Sequence, residues 1–219
     1  MTAVAEALAA AGIPEARVGR SRSERLSDQE RALYFSILRS FARGQTPAPA
    51  TIAAETRRLG LDLAAARAKL AAEDLVHFDA DGAVLVAYPF SGRPTAHQVT
   101  LNGHSVYAMC AIDALGMAPM LSQPVAISSR DPASDEAVFV ELSPDGAAEW
   151  QPEEAVVVVG RCCDGAAYQG CCHVLNFFAS PASAERYLRE HDEVSGQVIT
   201  LPEAIAVGRS VFSDVFSER

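Results

Sequence analysis

Apolar residues recur at helical spacing from Leu33 through Ile37 to Phe41, with Tyr34 and Leu38 beside them. Ser27-Asp28-Gln29-Glu30 precedes them as a capping box, and Gly44 closes the run. TPAPATIAAETRRLG predicts a turn and a second short helix ending near Gly60. Asp62 to Leu75 reads as a third helix, capped by Asp62. The period then changes. VHFDADGAVLVAY has strand composition around Asp81-Gly82, a hairpin turn signal. Three helices followed by a β-hairpin is the outline of a winged helix-turn-helix.

After PFSGRPTAH, read as a linker, strand patterns dominate. HQVTLNGHSVYA predicts a hairpin turning at Asn102-Gly103. CAIDALGMAPML predicts a short helix that fades at Gly116 and Pro119. QPVAISSRD, EAVFVELS and EAVVVVGRC are three further strands, and GCCHVLNFFAS fits a strand or the start of a helix. SPASAERYLREHD is a helix with Ser183 as its N-cap, and ITLPEAIAVGRSVFSDVF is a last helix with Pro202 near its first turn. The expected fold class is α+β. A winged-helix-like helical part leads into a mixed, mainly antiparallel β part with flanking helices. The division is an N-terminal extension (1–26), a winged-helix-like domain (27–90) and a catalytic domain (91–219).

Composition narrows the function. Eighteen Lys and Arg against 28 Asp and Glu leave a formal charge of −10, which repels phosphate backbones. The third helix carries Arg67 and Lys69 but also Asp62, Glu73 and Asp74, a weak footprint for reading DNA. The basic cluster Arg17–Arg25 reads as a solvated, mobile lead-in. No secretory signal is visible, and no apolar run approaches the ~20 residues that span a bilayer. The expected setting is cytoplasmic, without nucleic acid or membrane as partner. Five cysteines there are thiols, available for chemistry or metals.

The cysteines are Cys110, the pair Cys162-Cys163 and the pair Cys171-Cys172. Adjacent cysteines lack the spacing of a zinc knuckle, although Cys162, Cys163, Cys171 and His173 together keep that reading open. A Cys–His hydrolase would draw its base from His104 or His173. Cys172 reads as a small buried hydrophobe. In YAMCAIDALG, Cys110 and Asp113 stand at i and i+3, on one face if the helix begins at Cys110. Apolar neighbours would raise the carboxyl pKa and leave an acid able to donate. A soft sulfur ligand beside a proton donor suits a substrate with a soft metal bonded to carbon, and a second thiolate would complete a linear site.

These residues resemble a known family, the organomercurial (alkylmercury) lyases. VYAMCAIDALG is similar to the family's Tyr-Ala-x-Cys-Ala-x-Asp pattern, and GCCHVLNFFAS resembles its Cys-Cys-His-Val-x-x-Phe-Phe-Ala-Ser pattern. LRSFARGQTPAPATIA followed by the DADGAVL hairpin is similar to its winged-helix part. The resemblance implies that Cys110, Asp113 and Cys171 are catalytic. It also implies protonolysis of a carbon–mercury bond to a hydrocarbon and Hg(II), with the ion held by Cys110 and Cys171. No dissociable organic cofactor is implied. Low-molecular-weight thiols, or a mercuric reductase, would remove the ion. Cys162 and Cys163 depart from the pattern and read as an auxiliary mercury site or as two ordinary loop cysteines. The reading from another class is a soft-metal-responsive winged-helix regulator.

Overall fold

The computed structural model describes residues 22–161 and 172–216. Helix α1 (Asp28–Ala42) starts at the capping box: Ser27 Oγ accepts from the Glu30 amide, and the Glu30 carboxylate accepts from the Ser27 amide. Its apolar stripe, Leu33, Tyr34, Ile37, Leu38 and Phe41, is buried. Helices α2 (Pro49–Arg58) and α3 (Leu63–Ala72) follow, α3 capped by the Asp62 carboxylate. The hairpin of β1 (Val76–Phe78) and β2 (Val84–Ala87) comes next.

That hairpin joins a larger sheet. Strands β3 (Phe90–Ser91), β4 (Gln98–Leu101), β5 (His104–Ala108), β6 (Val125–Arg130), β7 (Ala137–Leu142) and β8 (Ala148–Gln151) complete eight antiparallel strands in the order β1-β2-β3-β5-β4-β6-β7-β8. Asn102 and Gly103 turn β4 into β5 with φ of 48° and 76°, the left-handed pair a two-residue hairpin requires. Burial alternates along β4, β6 and β7, so one face of this sheet meets the core and the other meets solvent. A second sheet has the order β10-β9-β11, with β9 (Val156–Arg161) between β10 (Phe177–Phe178) and β11 (Ser195–Thr200). Being central, the VVVV run of β9 is buried on both faces. Helices α5 (Pro181–Glu190) and α6 (Leu201–Phe212) flank this sheet.

Several elements differ from the expectation. PFSGRPTAH is not simply a linker, because Phe90–Ser91 pairs with both β2 and β5. Strand β8 is an added edge whose SPDGAAEWQ pattern shows little apolar alternation. Ser180, not Ser183, caps α5, because Pro181 takes the first helical turn where no amide partner is needed. The residues before α6 form β11, and Thr200 with Glu203 makes its capping box. Among the described residues, no helix is long and apolar enough to cross a membrane.

The largest difference is α4 (Ala111–Leu121), which runs through both Gly116 and Pro119. It is buried on almost every side, so it shows no polar face from which a period could be read. Gly116 lies where α4 crosses α6. A Cβ there would stand 2.2 Å from the Phe212 ring, and one on Gly208 would stand 3.0 Å from the Gly116 amide nitrogen. The small residues let the two helices approach closely, which offsets the ~1 kcal/mol that a helical glycine loses against alanine. Gly116→Ala is expected to destabilise by roughly 1–3 kcal/mol through overpacking. Pairing it with Phe212→Leu should recover part of that loss in a chemical denaturation series.

Candidate active site

Strand β5 leads through Met109 to Cys110, the N-cap of α4. Cys110 therefore stands just outside the helix, rather than in its first turn as the i,i+3 reading assumed. Its Sγ takes the place of a capping hydroxyl and accepts from the Asp113 amide at 3.4 Å. The Cys110 thiol donates in turn to Asp113 Oδ2 at 2.9 Å. A thiol cap and a carboxyl at the third helical position thus close one small ring. Both residues are buried.

The second sheet supplies another sulfur. Cys172 begins the turn that enters β10, and its Sγ lies 3.9 Å from Asp113 Oδ2. The ligating atoms of Cys110, Asp113 and Cys172 all lie within 4.8 Å of one another. Backbone bonds hold the two halves in register: the Ala111 amide donates to the Leu175 carbonyl at 2.9 Å, and the Val158 amide to the Asn176 carbonyl at 3.0 Å. Cys172 is as buried as expected for a small hydrophobe, yet its sulfur faces the acid. The contact is not legible in the sequence, because it joins residues 59 positions apart. Cys171, Cys162 and Cys163 lie outside the described residues. His173 and His104 are exposed.

Burial sets the proton chemistry. It pushes the Asp113 carboxyl up to about 7, against the hydrogen bond from Cys110 and the positive charge of Arg22. It pushes the Cys110 thiol up to about 12, with the Asp113 charge adding to the effect. A helix N-terminus ordinarily favours a thiolate, but here desolvation wins. At rest the site holds a neutral thiol beside an acid that gains and loses its proton near neutral pH.

Two groups from the N-terminal part act at this site. Tyr34 of α1 donates to the Tyr88 carbonyl at 3.3 Å. Burial keeps its phenol protonated, and the Asp113 charge, unlike that of Arg22, works in the same direction. Arg22 is only 8 % exposed, so this member of the basic cluster is no solvated lead-in. Its guanidinium donates to the Asp74 carbonyl at 2.7 Å, pairs with the Asp74 carboxylate at 3.4 Å, and lies 5.9 Å from the centre of the Tyr88 ring.

Comparison with known proteins agrees with this arrangement. The family model MerB, alkylmercury lyase, matches residues 90–213. An alkylmercury lyase of Staphylococcus epidermidis is 29% identical over 178 residues, covering 81% of this chain and 80% of that protein. One from Streptomyces lividans is 26% identical over the same length and shares. One from Bacillus cereus is 31% identical over 117 residues, 53% of each chain. The crystal structure of the mercury-bound form of MerB2 shares the fold with a TM-score of 0.72 at 22% identity, covering 89% of this chain and 95% of that one. With that match across more than half of its length, and a thiol–carboxyl–thiol site inside the matched region, the chain belongs to the alkylmercury lyase family.

Proposed function

We propose that this protein is an organomercurial lyase that cleaves the carbon–mercury bond by protonolysis, in mercury detoxification. The observation that carries the reading is the buried cluster of two sulfurs about one carboxyl group. Sulfurs less than 4.8 Å apart suit a two-coordinate ion between them, since metal–thiolate bonds are roughly 2.3 Å in zinc sites.

Cys110 exchanges onto the organomercurial, giving a Cys110–Hg–R adduct as the incoming ligand leaves with a proton. The thiol starts neutral, so a base is needed, and Asp113 Oδ2 already accepts its hydrogen bond. A second thiol then adds to mercury and raises electron density on carbon. Its proton passes through Asp113 to that carbon as the Hg–C bond breaks. Two thiols and R–Hg–X become a dithiolate of Hg(II), R–H and H–X, with no change of oxidation state.

The motif match gives the second thiolate to Cys171. The Cys172 sulfur, which reaches the Asp113 carboxyl, is the second candidate for that role. Cys162 and Cys163, nine residues before that pair, fit an auxiliary mercury site. Low-molecular-weight thiols, with a mercuric reductase downstream, would carry the ion away, and no dissociable organic cofactor takes part. The setting is cytoplasmic, without membrane or nucleic acid as partner.

The three N-terminal helices and the β1–β2 hairpin fit a winged-helix-like domain over residues 27–90 that serves as a platform for the catalytic part over 91–219. Arg67 on α3 donates to the Gly82 carbonyl and lies against Phe78, and Lys69 pairs with Glu73. These internal contacts favour a platform over a DNA-reading helix. The comparisons lend no support to the soft-metal-responsive regulator.

The test mixes protein, excess thiol and phenylmercury or methylmercury, and measures benzene or methane. Release above the thiol-only control is expected. Release equal to that control would sink the activity.

A further inference from the structure

Backbone anchors bracket Cys110 on both sides, and one of them runs through a side chain. Just before it, the Met109 amide donates to the Pro89 carbonyl at 3.1 Å; just after it, the Ala111 amide donates to the Leu175 carbonyl at 2.9 Å. The remaining anchor is Ala108, the last residue of β5. The β4–β5 ladder pairs Gln98 with Tyr107, and one step further in that register His97 stands opposite Ala108. The Ala108 amide donates to the His97 carbonyl at 2.9 Å, as an antiparallel rung requires. The return bond takes another route. The His97 amide donates to Thr95 Oγ1 at 3.1 Å, and the Thr95 hydroxyl donates to the Ala108 carbonyl at 2.7 Å.

A threonine hydroxyl is thus inserted into the last rung of the ladder. A hydroxyl both accepts and donates, so it serves the two strand groups at once. Ala108 and His97 are both buried, so losing the hydroxyl would strand a carbonyl and an amide away from water. The rung is held from either side. The His97 imidazole has its Nδ1 2.9 Å from Ser129 Oγ on β6, and Ala108 pairs with Phe90 of β3 on its other edge. Two residues further on, the chain leaves the sheet and Cys110 becomes the N-cap of α4, its thiol 2.9 Å from Asp113 Oδ2. A displacement at Ala108 is carried along this short connection to the sulfur.

We propose that Thr95 is a positioning residue for Cys110: its hydroxyl, inserted in the last β4–β5 rung, fixes the strand end that seats the thiol on the Asp113 carboxyl. The purpose of that positioning rests on the lyase reading, but the first of its two tests needs no mercury.

That test is the infrared S–H stretching band of Cys110, identified by its loss in Cys110→Ser and recorded at pH 8. The hydrogen bond to Asp113 keeps the band at low frequency in the wild type. Thr95→Val keeps the shape of the side chain and removes the hydroxyl, and should move the band to the higher frequency of an unbonded thiol. The second test is benzene release from phenylmercury in excess thiol. Thr95→Val is expected to lower kcat about 10–100-fold, the scale of a small misplacement of a reacting group, with KM changing less than kcat. Thr95→Ser restores the hydroxyl and should return both band and kcat to near the wild-type values. A wild-type band in folded Thr95→Val would overturn the proposal, even in a less stable protein, since it marks a purely structural threonine. So would a wild-type kcat in that variant, or a Thr95→Ser variant as impaired as Thr95→Val. No benzene from the wild type would count against the lyase reading, and the S–H band alone would then decide the position of the thiol. If Thr95→Val does not fold, Thr95→Ala removes the hydroxyl without forcing a methyl into the rung, and the same outcomes decide.

Discussion

Cys110→Ser and Cys171→Ser will each release no hydrocarbon above the thiol-only background. Serine keeps the size of the side chain but replaces a soft ligand with a hard one, and mercury selects thiolate. Removing either sulfur leaves one ligand, which captures R–Hg without adding the electron density that loosens the bond to carbon. Cys110→Ser should also fail to form the first adduct, whereas Cys171→Ser should still bind one equivalent of phenylmercury. Mass spectrometry of the intact protein separates the two. Cys172→Ser is the informative comparison, because the Cys172 sulfur lies 3.9 Å from the Asp113 carboxylate. If Cys171→Ser turns over normally and Cys172→Ser is the inactive variant, the motif match names the wrong member of the pair.

Asp113→Asn will keep mercury binding but lose roughly 10²–10⁴-fold in hydrocarbon release, the usual worth of a positioned general acid–base. Asparagine matches the carboxyl in shape and cannot carry the proton from thiol to carbon. The same substitution should alter stability in the opposite sense. The folded-state pKa of Asp113 is raised from 3.8 to about 7. Between these values the folded protein holds a proton that the unfolded chain releases. Stability from this group is therefore full below pH 3.8, falls as pH rises toward 7, and is level above that. Asp113→Asn removes that slope, so the variant should unfold at higher denaturant than the wild type at pH 8, with the gap closing toward pH 4. An unchanged rate of phenylmercury cleavage in Asp113→Asn would remove the proton-carrier role. A wild-type stability curve parallel to that of the variant across pH 4–8 would show that the carboxyl is not desolvated as described.

On the proposed mechanism the proton carrier, Asp113, sits where burial destabilises the charged form. Burial lifts the carboxyl into the range where it exchanges protons near neutral pH, and it keeps the neighbouring thiol neutral. Both effects come from α4 being surrounded on nearly all sides. That enclosure in turn depends on the close α4–α6 crossing at Gly116 and Gly208.

By itself the sequence determined the elements whose signals are local. The Ser27 capping box, the Asn102-Gly103 turn and the alternation of β4, β6 and β7 act within a few residues, and each appears where the pattern placed it. It also determined the Cys110–Asp113 pair, since three residues at the start of a helix bring a cap and its partner together whatever the rest of the chain does. Other features needed the tertiary structure. Phe90–Ser91 is a strand because two neighbours pair with it. Helix α4 continues through Gly116 because α6 fills the space a side chain would need. The inward turn of Cys172 and the burial of Arg22 join residues separated by 59 and 52 positions. No local period records that the Cys172 sulfur faces an acid 59 positions away. Only the packing of the second sheet against the end of α4 decides it, because that packing selects the face of the turn from which water is excluded.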